Sequence, residues 1–313
     1  MGDDFINLHV HSSYSLGDST IGIPKLIEVV KEYNQDSVAL SDHGVVSGWF
    51  DFHLECEKNN IKPIYGCEFY THEHFKTKSR ERNHLIVLAK NNEGKKTIQK
   101  WNHEANKNFY HVPILPHDLI FEEKNNNVIV TSACALGAIP SLIATNQIDE
   151  ATQMAERFND NFEHFYLEIQ MHDPIIFPEQ MSINNILIEI GDLLDIPITI
   201  STDAHIPKME DAETRSLIQA ISWHKKHEDI LKERPTLPSN AIGNEELIYH
   251  FADLTGFEDE SIIKKAIGNT NKIANLCDVQ WEDFKIHLPK FTKQDELRSM
   301  LKPEPRVVSL EDF

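Results

Sequence analysis

Seven short apolar runs, most of them containing or followed within a few residues by a side chain able to bind a metal ion, constrain this chain more than any other feature. They are Phe5 to Val10, Ser37 to Ser41, Lys62 to Tyr70, His84 to Ala89, Val128 to Thr131, Phe165 to Ile169 and Pro197 to Ile200. Their β-branched and aromatic residues, bounded by turn residues, are the mark of strands. Most are followed by apolar residues at helical spacing, such as Leu26, Ile27 and Val30 behind Pro24, a residue suited to a first helical turn. Further helices are predicted across about Val46 to Asn59, Glu93 to Ala105, Ile139 to Ala144, Ile148 to Phe158 and Ser182 to Leu194. Strands alternating with helices pair in parallel through right-handed crossovers, and near-continuous apolar strands are buried on both faces. The expected fold is α/β, a closed seven-stranded parallel β/α barrel, with a doubly wound open sheet as the alternative. Beyond Pro207 the pattern turns helical, across Asp211 to His224, Asn244 to Leu254 and Glu260 to Leu276, which makes a C-terminal helical extension. Residues 1–277 are expected to hold the barrel and this extension. Residues 278–313, with Pro289, Pro303 and Pro305 and little periodicity, read as a linker or the truncated start of a neighbouring domain.

The strand reading also places the chemistry. In an extended chain His9 and His11 project to one side while Leu8 and Val10 point to the other, so two imidazoles converge. Imidazole is the commonest protein metal ligand, and Asp18, just past Gly17, can add a carboxylate. Alone, such a pair is more often two ordinary polar residues on a strand. Its company changes the reading: Asp42 and His43 follow the second run, Glu68 lies in the third, His84 opens the fourth, Cys134 follows the fifth, and Asp203 and His205 follow the seventh. In a β/α barrel the strand C-termini share one mouth, where active sites are built. Singly, Asp42 could cap a helix, Glu68 could pair with a lysine, Cys134 could be a small buried hydrophobe, and Asp203 could hold a turn. Chance would scatter such residues along the chain rather than gather them at strand ends. Five histidines with several carboxylates and a thiol exceed the needs of one tetrahedral ion, so two or three divalent cations are implied. Nitrogen and sulfur donors favour zinc, manganese or iron over magnesium.

The remaining composition narrows the partners. With 30 Lys and Arg against 50 Asp and Glu, the net charge is −20, and no basic stripe is present to neutralise phosphates along a duplex. Any nucleic acid is therefore expected to be held locally or by another protein. Cys56, Cys67, Cys134 and Cys277 form no CxxC pair, which argues against a disulfide framework or a zinc ribbon. No apolar run approaches the ~20 residues of a membrane span. The acidic start, Met1 to Phe5, lacks the basic region of a secretory signal, so the cytoplasm is the expected location.

Taken together, His9-Val10-His11 with Ser12 to Leu16 and Asp18, Ser41-Asp42-His43-Gly44, Gly66-Cys67-Glu68, Asn83-His84 through Ala89, Thr131-Ser132-Ala133-Cys134 and Thr202-Asp203-Ala204-His205 resemble the PHP (polymerase and histidinol phosphatase) family. Cys134 in place of histidine, Tyr166-Leu167-Glu168-Ile169-Gln170, Ala266 to Thr270 and His287 to Phe291 bring the chain close to the branch found in DNA polymerase III alpha subunits. The resemblance runs from about Asn7 to Phe291 and implies a seven-stranded β/α barrel with up to three metals. By motif, His9, His11, Glu68 and Asp203 would hold the first, Glu68, His84 and Cys134 the second, and Asp18, His43 and His205 the third. All nine positions are filled, and Asp42 would orient a neighbouring histidine. The implied activity is metal-dependent phosphodiester hydrolysis, a 3′–5′ exonuclease acting on a single-stranded DNA 3′ end within a replicative polymerase, with His11, Asp203 and His205 as catalytic residues. The alternative is a metal-braced scaffold that docks a separate proofreading nuclease or the rest of the polymerase. A free-standing phosphatase of the histidinol phosphate type would be expected to carry histidine at position 134. Gln170 stands two residues before His172 in a segment where the family commonly has a basic residue, which weakens any phosphate contact there. The 22 residues after Phe291 cannot hold a polymerase palm, so the chain is expected to be either a domain excised from a longer polymerase or one piece of a split one, with residues 278–313 a linker or the truncated start of the palm.

Overall fold

A computed structural model describes residues 5–73, 81–122, 124–233 and 236–281. The chain divides into two compact units, residues 1–280 and 281–313, and the fold below is that of the first. From residue 282 onward the expected linker lies outside the described residues.

Seven strands are described: β1 (Ser37–Leu40), β2 (Lys62–His72), β3 (Asn83–Ala89), β4 (Ile114–Pro116), β5 (Val128–Thr131), β6 (Phe165–Gln170) and β7 (Ile198–Ser201). They form one curled sheet in the order β1-β2-β3-β5-β6-β7, with β4 joined to β2 off this path. Every residue of β1, β5 and β6 is buried, as expected for strands covered on both faces. The helices are α1 (Ile23–Glu32), α2 (Trp49–Asn59), α3 (Asn92–Lys107), α4 (His117–Ile120), α5 (Ala138–Ala144), α6 (Ile148–Asn161), α7 (Glu179–Leu194), α8 (Ala212–Ser222), α9 (His227–Glu233), α10 (Glu245–Thr255) and α11 (Glu260–Leu276). Periodicity predicts all of these except the short α4 and α9.

Two expectations need correction. The sheet is mixed rather than fully parallel: β1–β2, β5–β6 and β6–β7 are parallel, but β3 runs antiparallel to both β2 and β5. Only ten residues separate His72 from Asn83, too few for the crossover of a dozen or more that parallel neighbours require. The reversal matters for the site. It brings the first residues of β3, not its last, to the end where the parallel strands finish, and so delivers His84 to their mouth.

The run from Phe5 to Val10 is extended but forms no regular strand. It lies between the two ends of the sheet: Ala39 N–H donates to Asn7 O (2.8 Å) and Ser41 N–H to Val10 O (2.9 Å) on one side. On the other, Ala204 N–H donates to His9 O (3.0 Å) and His11 N–H to Ala204 O (2.9 Å). These bonds close the curl. At the end away from the mouth, Ile273 and Ala274 of α11 and the following Cys277 join Ile6, Ala39, Ile64, Leu88 and Ile129 in a buried cluster that plugs the barrel floor. Among the described residues no helix is long and apolar enough to cross a membrane.

Candidate metal centre

Glu68, buried near the middle of β2, is the hub of the mouth. Its Oε1 stands 3.2 Å from His9 Nε2 and 2.9 Å from His84 Nδ1, and its Oε2 stands 2.5 Å from His43 Nδ1 and 3.6 Å from His11 Nε2. Asp203 Oδ1 adds contacts of 3.1 Å to His9 Nε2 and 3.3 Å to His11 Nε2, the two imidazole nitrogens lying 3.1 Å apart. Cys134 Sγ is 3.5 Å from His84 Nδ1. Asp18 Oδ2 is 3.2 Å from both His43 Nε2 and His205 Nε2, which are 3.3 Å from each other. The structure thus brings all nine residues expected from the sequence into one place.

The donor set fits divalent cations on physical grounds. Ligands of one tetrahedral ion at about 2.1 Å lie roughly 3.4 Å from one another, and the contacts above scatter around that separation. Among the described residues, three groups have ligand atoms close enough to share an ion: His9, His11 and Glu68; His43, Glu68 and His84; and His11, His43 and His205. Both Glu68 oxygens, His43 Nδ1 and Asp203 Oδ1 are buried with no hydrogen-bond partner of good geometry, although nitrogens or oxygens stand close by. A cation held among these atoms would pair the lone pairs that no hydrogen bond satisfies. Unpaired buried polar atoms are otherwise costly, about 1–3 kcal/mol apiece.

Other residues set these donors in place, and several escape a reading by residue type. Glu168 Oε1 accepts from His9 Nδ1 (2.7 Å) and from Ser201 Oγ (2.5 Å), while its Oε2 accepts from Thr131 Oγ1. A proton on His9 Nδ1 leaves Nε2 as a bare lone pair toward the mouth, the usual device for orienting a ligating imidazole. A single glutamate within the apolar run Phe165 to Ile169 is the sequence signal for it. Asp42 acts less directly than expected. It accepts from Ser12 N–H (2.7 Å), Ser12 Oγ (2.9 Å) and Ser15 Oγ (2.7 Å), and Ser15 Oγ lies 3.3 Å from His11 Nδ1. Asp42 therefore reaches the imidazole of His11 through Ser15. Arg215 and Gln219 of α8 both contact Asp18 and carry no such sequence signal.

Backbone geometry aims the last donors. Asp203 (φ 50°) and Ala133 (φ 59°), the residue before Cys134, adopt the left-handed conformation, which non-glycine residues hold at a cost of roughly 1–2 kcal/mol. Behind Cys134, a Cβ on Gly137 would lie 1.9 Å from Ser132 O and 3.1 Å from Cys134 O. Gly137→Ala is expected to push this loop outward, costing about 1–3 kcal/mol of stability and displacing the thiol, which urea denaturation and cadmium–thiolate absorbance would register.

Charge is balanced across the cluster. Burial opposes a charge on His43, but Glu68 and Asp18 outweigh it and raise its pKa to about 10. His9 is also raised, burial again being outweighed, here by Asp203 and Glu168. Burial, with His43 and His205 beside it, holds His11 well below the ordinary imidazole value. Burial would lift Glu68 and Asp203, yet the surrounding imidazoles keep both carboxyls ionised far below their usual range. Burial, with Asp203 and Glu68 nearby, pushes the Cys134 thiol well up, so a thiolate there needs a cation beside it. Because His9 and His43 must surrender protons to present lone pairs, cation affinity is expected to rise between about pH 6 and pH 9, with protons released on binding near pH 7. Titration calorimetry in buffers of differing ionisation enthalpy measures that release.

The cluster opens into a cavity of about 340 Å³. Asp18, His43, His84, Cys134, Asp203 and His205 line one side, and Leu136, Ile176, Phe177 and Leu237 contribute an apolar wall. His11 is fully buried and is not among the lining residues.

Fold and donors together define a mixed α/β barrel that gathers ligands for divalent cations at its mouth. Residues 7–172 match the model of the PHP domain, and the chain belongs to that family. It is similar to the DNA polymerase III subunit alpha of Borreliella burgdorferi, 34% identical over 296 residues, an alignment covering 91% of this chain and 24% of that protein. The same subunit of Aquifex aeolicus is 34% identical over 238 residues, covering 72% and 20%, and that of Helicobacter pylori is 30% identical over 312 residues, covering 92% and 25%. The chain thus spans a fifth to a quarter of the length of these curated relatives.

Proposed function

We propose that this chain is the PHP domain of a replicative DNA polymerase of the DNA polymerase III alpha type, and that it hydrolyses phosphodiesters at a single-stranded DNA 3′ end. Residues 1–277 would form the working domain and residues 278–313 would lead toward the rest of the polymerase. The observation that carries this reading is the convergence of His9, His43 and His84 within 3.2 Å of Glu68, whose two buried oxygens have no hydrogen-bond partner of good geometry. Two or three ions of zinc, manganese or iron would be held by His9, His11, Glu68 and Asp203, by Glu68, His84 and Cys134, and by Asp18, His43 and His205. Cations in such a centre supply Lewis-acid stabilisation of phosphoryl charge and an acidified water.

The chain's own residues divide the remaining work. Asp203 and His205, which line the cavity, would face the substrate, while His11 would act from behind them as a buried holder of the cation. A cavity of about 340 Å³ is at the small end of ligand pockets, which suits one terminal nucleotide better than a paired duplex. The apolar wall of Leu136, Ile176, Phe177 and Leu237 would exclude water and give the base or sugar a surface to rest on. A net charge of −20 supports the same view, since broad duplex binding needs the opposite sign.

The test is digestion of a 5′-labelled single strand by the chain loaded with manganese or zinc, beside Asp203→Ala. Stepwise loss of 3′ nucleotides, abolished in the variant, is expected. A metal-loaded chain that cuts neither DNA nor a chromogenic phosphodiester would instead make the centre a brace for the polymerase or for a separate nuclease.

A further inference from the structure

We propose that Arg215, assisted by Gln219, sets the cation affinity of the Asp18–His43–His205 cluster by clamping Asp18 from α8, a helix outside the barrel. The inference rests on reading the mouth as a cation centre.

Asp18 is the donor most in need of support. It lies in the loop after the first run, beside Gly17 at φ 77°, and its side chain is 27% exposed, against 17% for Asp203 and 1% for Glu68. A partly exposed carboxylate on a loop gives up conformational freedom when it ligates, which weakens the site unless that freedom is already gone. Three contacts remove it. Arg215 Nη2 donates to Asp18 Oδ1 (2.8 Å), Gln219 Nε2 donates to the same oxygen (2.7 Å), and Arg215 Nε donates to the Asp18 carbonyl (3.0 Å).

The partition between the two carboxylate oxygens is what gives the clamp its function. Both side-chain donors occupy Oδ1, so Oδ2 is left facing His43 and His205 at 3.2 Å from each. One guanidinium fixes the backbone and the side chain of the same residue at once, a two-point grip that suits its planar fork and that a lysine ammonium cannot reproduce. Arg215 and Gln219 are four residues apart and so lie on one face of α8. The loop also lies tightly against that helix, since a Cβ on Gly17 would come within 2.0 Å of Ser222 Oγ. Arg215 is itself buried, and among the described residues its remaining nitrogen, Nη1, has only a 3.5 Å contact with Asn240 Oδ1. Its buried charge is therefore spent on Asp18. Both clamp residues lie beyond residues 7–172, the part that the family model matches.

The experiment compares the full chain with Arg215→Gln, Arg215→Lys and Gln219→Ala, using zinc alone as the probe in chelator competition and counting bound equivalents. Arg215→Gln is expected to weaken one equivalent by roughly 10–100-fold while the others keep their affinity. Arg215→Lys should recover only part of the loss, and Gln219→Ala should show a smaller loss at the same equivalent. A merely structural arginine would instead lower the melting temperature of the chelated protein and leave the affinity of folded variants unchanged. Wild-type affinity for every equivalent in folded Arg215→Gln and Gln219→Ala overturns the clamp. If Arg215→Gln does not fold, Gln219→Ala alone decides the matter. Failure of the unmodified chain to bind zinc overturns the reading of the mouth, and the clamp with it.

Discussion

Glu68→Ala is expected to strip the mouth of at least two cation equivalents and to lower phosphodiester hydrolysis by about 10³-fold or more, roughly 4 kcal/mol in the barrier. The size follows from sharing. Its two oxygens face His9, His84, His43 and His11 at 2.5 to 3.6 Å, so one carboxylate serves donors of all three groups. Removing it takes a full negative charge from beside two of the proposed cations, in an interior where Coulomb terms are poorly screened. At an effective dielectric near 20, one unit charge pair at 4 Å is worth about 4 kcal/mol, and a bridging carboxylate acts on more than one ion at shorter range. Alanine also leaves His43 and His84 without the carboxylate that draws charge onto His43. Glu68→Gln, which preserves volume but not charge, should lose nearly as much. Elemental analysis after dialysis, together with initial rates at saturating manganese, measures both effects. A Glu68→Ala chain that keeps its full metal content refutes the assignment of Glu68 as the shared ligand.

Much of this was legible in the sequence because its signals were local. Strand and helix periods are read within a few residues, so the alternation of Ser37 to Ser41, α2, Lys62 to Tyr70 and the later units shows on the page. The nine donors were legible because strand ends are where a barrel collects chemistry. What stayed hidden depended on partners distant in sequence. The reversal of β3 follows from the short link between His72 and Asn83, where an absent helical pattern is a weak signal beside seven strong ones. The run from Phe5 to Val10 looks like any strand, and only its neighbours decide that it closes the curl without forming a ladder. Arg215 reaches Asp18 across 197 residues, a contact that no local period encodes. Glu168 was visible as a charged residue inside an apolar strand, but its partner His9 was not, because the two meet only when the barrel closes.

Removing the cations is expected to lower the melting temperature by about 10 °C, and by more at about pH 9 than at about pH 6. A cation present at roughly 1,000 times its dissociation constant stabilises the fold by about 4 kcal/mol, and each kcal/mol moves the melting point of a domain this large by about 2–4 °C. The pH dependence comes from what replaces the ions. In the metal-free chain protons substitute for them, chiefly on His43, raised to about 10, and on His9, also raised, where they offset the ionised Glu68 and Asp203. A histidine whose folded pKa lies above its unfolded value adds stability that is fully present below the unfolded value, near 6.5, and is lost as pH rises toward about 10. The chelated chain is therefore best compensated in mild acid and worst in mild base, where bare carboxylates face neutral imidazoles without either ion or proton between them. The loaded chain follows the opposite trend, because protons compete with its cations at low pH. The gap between the two melting curves must widen as pH rises. Scanning calorimetry of chelated and manganese-loaded samples across that range provides the measurement, and a gap that stays constant or narrows would mean that His9 and His43 do not exchange protons for metal.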